Sequence, residues 1–287
     1  MDFATIDGIT TRYEVEGAGP PMLMYAPGGF DGNLEKWRTA GSYKRIEMFD
    51  RLVDQYTCIT FDRREVGQSG GRIERVSWKD YARQGIGLLD HLGIDRAHMM
   101  GGCMGCSPVA VIGADHPERV LSMVLYWPVG GVRYRMACQA RFATHLAYLD
   151  EHDLADVVTL VRSHEKGFGA DPRIGPWGAV IRTDGDFVSE FLDLDIERYR
   201  AIVVAMARTL VDRDTAPGAE PEELMQVDIP TLIVPGNDPA HATSAARYYE
   251  ECLPNSEYWD VQPSGQTAET APARVLEFLD AQAGASW

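Results

Sequence analysis

Short apolar runs of β character alternate with helix-type stretches along most of this chain. That order dictates a mostly parallel sheet covered by helices on both faces, because parallel strands need a crossover between them. The runs PMLMYA (21–26), YTCITF (56–61), AHMMG (97–101), LSMVLYW (121–127), IPTLIVPG (229–236) and SEYWDV (256–261) read as buried strands, each closed by Gly, Pro, Asp or Asn. Between them, WKDYARQGIGLLDHLGI puts Tyr81, Ile86, Leu88, Leu89 and Leu92 near one helical face, and TAPARVLEFLDAQA repeats the pattern near the C-terminus. FATID and TRYEVEG flank Asp7 and Gly8 as an opening hairpin. From about Gly131 to Pro221 the alternation stops, and helical periodicity continues without a clear strand. The expected division is a first core part over 1–131, a helical insertion over 132–221, and a second core part over 222–287.

Composition narrows the partners. A formal net charge of −16 disfavours a surface that follows phosphate backbones, so nucleic acid is not expected. No apolar run approaches the roughly 20 residues that cross a bilayer. The opening MDFATIDGIT lacks the basic flank and apolar stretch of a secretion signal, so a cytoplasmic protein without a membrane partner is expected. Five scattered cysteines in 287 residues predict free thiols rather than a disulfide framework. Cys103 and Cys106 have zinc-like spacing, but no second pair completes four ligands. No metal or cofactor is expected.

The segment HMMGGCMGCSPVA (98–110) carries the chemistry. A strand runs into Gly101-Gly102-Cys103-Met104-Gly105 and then into a helix, which is the Gly-x-nucleophile-x-Gly turn with cysteine in the usual serine position. Small residues two positions either side let strand and helix approach, and the nucleophile stands where unpaired amides favour an anion. Cys103 is therefore expected to have a lowered thiol pKa. A CxxC redox pair is the competing reading, but the motif follows several strands of a large sheet, and Cys106 reads more simply as a small buried residue. The glycine order does not give a dinucleotide loop.

With these residues in view, the chain resembles the α/β-hydrolase fold superfamily. YAPGGFDGN places Gly28, Gly29 and Phe30 where that superfamily has its oxyanion-hole loop. FDRREVGQSG is similar to its Asp-x-Arg-Gly-x-Gly-x-Ser loop, with Glu65 where glycine is usual, and ADHPERVLSMVL is similar to the connection after its elbow. The resemblance implies Cys103 as nucleophile, the amide of Met104 with that of Gly29 or Phe30 as oxyanion hole, and Asp238 in VPGNDPAHATS as the acid.

The base departs from that pattern. The final loop, VQPSGQTAETAPARVLEFL, puts Gln266 in the histidine slot, and glutamine cannot take up a proton. Of the seven histidines, His91, His98 and His116 belong to packing elements, while His152 and His164 lie in charged stretches. His241, three residues after Asp238, and His145, in RFATHLAYL, are the candidate substitutes.

The expected protein is an α/β-hydrolase-fold enzyme with a cap, acting through Cys103 on a small, fairly apolar carbonyl compound such as an ester, thioester or lactone. Phe142, Tyr148, Phe168 and Trp177 are candidate pocket aromatics that equally suit the insertion's own core. Arg63 and Arg64 read as structural, with a substrate-carboxylate clamp left open to test at Arg64. Two alternatives stay open: lyase, isomerase or acyl-transfer chemistry on the same scaffold, and a catalytically silent ligand-binding homologue. The sequence leaves the oligomeric state open.

Overall fold

The computed structural model describes residues 1–282. Its centre is an eight-stranded sheet with spatial order β1-β2-β4-β3-β5-β6-β7-β8. The strands are β1 (Asp2–Ile6), β2 (Ile9–Glu16), β3 (Pro21–Tyr25), β4 (Thr57–Phe61), β5 (Ala97–Gly102), β6 (Val120–Tyr126), β7 (Thr231–Val234) and β8 (Ser256–Tyr258). β1 and β2 form the expected antiparallel hairpin, β2 pairs antiparallel with β4, and every other pairing is parallel. β5, β6 and β7 are buried almost throughout, as strands covered on both faces must be.

Helices supply the cover. The Trp78–His91 helix buries Tyr81, Leu88 and Leu89, and starts at a capping box in which Ser77 and Asp80 each accept from the other's backbone amide. The apolar Cys106–Asp115 helix is buried over its first eight residues and reaches the surface only at its C-terminal end. Between β6 and β7 the described residues form only helical elements. The longer ones are Val132–Tyr148, Leu154–Ser163, Gly185–Leu192 and Ile196–Leu210. Tyr134, Cys138, Phe142 and His145 recur every three or four residues along the first of these and form its buried face.

The sheet order locates the site. β3 and β5 are neighbours, with Tyr25 opposite Gly101, but the chain leaves β3 toward β4 and leaves β5 toward β6. Loops after two such strands part to opposite sides and open a crevice at the strands' carboxyl ends. The loop after Tyr25 and the turn at Cys103 border that crevice.

Candidate active site

Cys103 sits at φ 55°, a conformation few side chains adopt, at the head of a one-turn 3₁₀ segment leading into the Cys106–Asp115 helix. The flanking glycine requirement is steric: a Cβ on Gly101 would stand 2.5 Å from the carbonyl oxygen of Gly105. Cys103 is 9% exposed. Burial pushes its thiol up, but the His241 ring and the amides of Gly28 and Met104 outweigh it and hold the thiol below its ordinary value.

His241 comes from the loop after β7, not from the loop after β8. Its Nδ1 donates to Asp238 Oδ2 at 2.8 Å. Asp238 Oδ1 in turn accepts from the amides of Ala240 and His241, at 2.8 and 3.0 Å, so one carboxylate shapes the loop and orients the ring. The loop is fixed from outside as well. Gly130 bridges to it, donating to the carbonyl of Ala240 at 3.1 Å, and the Trp127 ring lies 5.6 Å from the imidazole. A Cβ on Gly236 would fall 2.4 Å from His241 Cβ, so only glycine lets the ring settle there. Nε2 is buried without a hydrogen bond of strict geometry, and it lies close enough to the Cys103 thiol for each to shift the other's pKa. Burial disfavours the imidazolium, yet Cys103 and then Asp238 more than offset this and raise the ring to about 9. For Asp238, burial is likewise outweighed by His241 and the two amides, which lower its carboxyl.

Gln266 is completely buried and fully committed elsewhere. Oε1 accepts from Tyr126 Oη at 2.9 Å and Trp127 Nε1 at 2.6 Å, while Nε2 donates to the carbonyls of Pro235 and Val261 at 2.9 and 2.8 Å. It ties the final loop to the end of β6 and to the start of the His241 loop. His145, the other candidate base, lies inside the helical segment, with Nδ1 on the carbonyl of Arg173 at 2.8 Å and Nε2 on Tyr199 Oη at 2.7 Å. Burial there depresses its ring to about 4 and both nitrogens are occupied, so it has no free nitrogen for chemistry.

Cys103 opens onto a cavity of about 270 Å³. Gly28, Gly29, Phe30 and Met104 form its floor, and the Val132–Tyr148 helix forms a wall. Of the loop amides, that of Gly28 is the one turned to the sulfur, whereas Gly29 and Phe30 line the same cavity. Phe30 packs edge-on against Phe142 and Phe168, each at 5.4 Å, and Asp31 Oδ2 accepts from Gly169 N at 3.0 Å, so the helical segment closes over the loop after β3. Trp177 is buried and donates from Nε1 to the carbonyl of Arg72, and Tyr148 stacks on His152 at 4.1 Å; neither lines the cavity.

Cys106 donates to the carbonyls of Gly101 and Tyr126, at 3.1 and 3.5 Å, and burial drives its thiol well above the ordinary value, which makes it a packing residue rather than a redox partner. Arg64 is equally occupied, by Glu65 at 2.8 Å and Glu74 at 2.6 Å. Arg63 donates to the carbonyl of Gly29 and lies over the Tyr81 ring. Among the described residues no group of three His, Cys, Asp or Glu is placed to hold a metal ion, and no helix is long and apolar enough to cross a membrane. Sequence reasoning passed over Arg133, Tyr134 and Arg141, which reach the cavity. Their signal was the placement of 133, 137 and 141 at i, i+4 and i+8, one position before the buried stripe at 134, 138 and 142.

Comparison with known proteins agrees with this architecture. The family described as alpha/beta hydrolase fold matches residues 21–133. Over 128 residues the chain is 34% identical to the dihydrolipoyllysine-residue acetyltransferase component of the acetoin cleaving system of Cupriavidus necator, covering 45% of this chain and 32% of the relative. A putative carbamate hydrolase of Azorhizobium caulinodans is 30% identical over 113 residues, or 39% of each chain. These matches thus span only 32% and 39% of the relatives' length. Among solved structures, a variant of the meta-cleavage product hydrolase CumD superposes with a TM-score of 0.61 over 98% of both chains at 18% identity.

Proposed function

The chain has the α/β-hydrolase fold, and we propose that it is an acyl hydrolase working through Cys103, with His241 as base and Asp238 as the acid that orients it. The observation that carries this reading is the position of His241: Nδ1 is fixed by Asp238 and the other ring nitrogen is buried toward the thiol. The histidine lacking from the final loop is thereby supplied from the acid's own loop, and Gln266 keeps the old position as a structural brace. The hydrolase names of relatives in the comparison agree with the reaction class.

In this reading the resting pair is a thiolate beside an imidazolium, the state favoured when each raises the charged form of the other. Cys103 Sγ attacks the substrate carbonyl, and the amides of Gly28 and Met104 stabilise the oxyanion. As the tetrahedral adduct collapses, the bond to the leaving group breaks and His241 gives it the Nε2 proton, leaving a thioester on Cys103. Neutral His241 then takes a proton from water, the hydroxide adds to the thioester, and the thiolate departs with the acid product. Asp238 holds the ring in the tautomer both steps need. The segment 132–221 acts as a cap whose Phe142 and Phe168 press on Phe30 and limit the cavity to small acyl groups.

The test is intact mass of the protein after mixing with p-nitrophenyl acetate, with Cys103→Ala and His241→Ala in parallel. Transient acetylation of the wild type with continuing turnover, none in Cys103→Ala, and slow turnover in His241→Ala are expected. A persistent wild-type adduct would move the assignment to acyl transfer onto an acceptor other than water; absence of any adduct would leave a ligand-binding protein.

A further inference from the structure

We infer that the acyl group this site accepts carries its own carboxylate, held by Arg141 with Arg133 at the cavity mouth. The inference rests on the proposed reading of Cys103 and names the substrate class of that site. Arg133 and Arg141 are the charged side chains lining the cavity, and no Asp or Glu lines it. Neither has a carboxylate within 4.0 Å among the described residues, in a chain where Arg12, Arg38, Arg64, Arg173, Arg200 and Arg213 all do. Among the described residues the one hydrogen-bond contact of Arg141 is a long approach of Nη1 to Cys138 Sγ, 3.6 Å. Asp31 lies near enough to feel its charge but already accepts the Gly169 amide.

Two further observations point the same way. Tyr134, between the arginines in sequence, buries its hydroxyl beside the Cys138 thiol without a hydrogen bond of strict geometry, so the hydroxyl can turn to an anionic oxygen in the cavity. Ala137 places a methyl group midway between the two cations and leaves the space beside the helix open. The overall charge of −16 sharpens the contrast, since a mouth lined by two arginines and no carboxylate attracts a small anion that the rest of a negative chain repels. Eight residues separate the arginines by about 12 Å along the helix axis, so one small carboxylate meets one of them. Arg141, half-buried beside Phe30 and Gly169, is assigned as its partner, and exposed Arg133 contributes long-range attraction. The volume, at the low end of ligand cavities, fits a short-chain dicarboxylic acid monoester or monothioester.

The experiment compares the phenyl thioesters of succinate, with its free carboxylate, and of butyrate, on the wild type and on Arg141→Gln. The wild type should prefer the succinyl substrate, with a KM for it that rises with salt. Arg141→Gln should reduce the succinyl-to-butyryl ratio of kcat/KM by about 10-fold or more, mainly through KM. In parallel, succinate but not succinamide should raise the Tm of Cys103→Ala, and the added Arg141→Gln change should abolish the shift. If both thioesters acylate Cys103 with no preference, or with a ratio that Arg141→Gln leaves intact, the carboxylate inference is overturned while the nucleophile assignment stands. If neither acylates it but succinate still stabilises through Arg141, the anion site stands and the hydrolase reading falls. If succinate gives no shift and the succinyl substrate no advantage, the inference is wrong.

Discussion

His241 Nδ1 lies 2.8 Å from Asp238 Oδ2, and the two residues are three apart on one loop. In the proposed reading acid and base therefore share one loop, and the position after β8, where the resemblance to the α/β-hydrolase superfamily places the base, is free to become a brace. Gln266 fills it with four hydrogen bonds and no titratable group. The arrangement separates two tasks that one histidine loop usually combines, orienting a proton carrier and closing the last turn onto the sheet.

Replacing His241 with alanine should lower kcat/KM for a simple ester about 10²- to 10⁴-fold, the usual worth of a positioned base. Adding Gln266→His to that variant should not restore turnover, because the side chain at 266 is aimed at Trp127, Tyr126, Pro235 and Val261 rather than at Cys103. Recovery of activity in the double variant, measured by ester turnover, would place the base at 266 after all.

Gln266→Ala should act on stability. It strands the Trp127 indole N–H, the Tyr126 hydroxyl and two carbonyls in a buried site, at a cost of about 3 to 5 kcal/mol. Urea denaturation of the wild type and the variant gives the number directly. A loss below about 1 kcal/mol would mean that the loop carries less of the fold than its bonding implies.

The pair at the site should be visible by titration. His241, raised to about 9 in the wild type, should fall toward its ordinary 6.5 in Cys103→Ala, since the thiolate is the first group that offsets its burial. Alkylation of Cys103 by iodoacetamide should show the converse. Its inflection should lie below the ordinary thiol value of 9.0 in the wild type and move upward in His241→Ala, where burial of the thiol is less opposed. An NMR titration of the imidazole and a pH series of alkylation rates check the two halves separately.

Much of this was legible in the chain before any coordinates. The strand runs carried the sheet because parallel strands buried on both faces must be continuously apolar, and the glycines around Cys103 marked the elbow because nothing larger fits there. That 266 departs from the pattern followed from the resemblance, which puts a histidine in that slot where this chain has glutamine. What no local pattern carries is which of two candidate histidines meets the thiol. That depends on β7 ending beside β6 and on Gly130, Trp127 and Gly236 shaping one loop. His145 was the other candidate in sequence and lies instead in the helical segment's interior. The arginines at 133 and 141 carry no motif of their own, and only the cavity beside them sets them apart from other charged helix positions.

Glu65 offers a stability prediction apart from catalysis. It occupies the position where glycine is usual and takes φ 65°, the conformation glycine would adopt without strain. It is buried and pairs with Arg64 at 2.8 Å, and burial, only partly opposed by Arg64, raises its carboxyl from 4.5 to about 7. A group whose folded pKa exceeds its unfolded value binds more protons when folded. Its contribution is therefore full below about 4.5 and is lost as pH rises through about 7. Linkage puts that loss on the order of 3 kcal/mol. Glu65→Gln should remove this component of the pH dependence while Glu74 continues to pair with Arg64 at 2.6 Å. Urea midpoints at pH 5 and pH 8 should accordingly differ less in the variant than in the wild type. An equal difference in both would mean that Glu65 stays ionised in the folded protein, with the Arg64 guanidinium outweighing its burial.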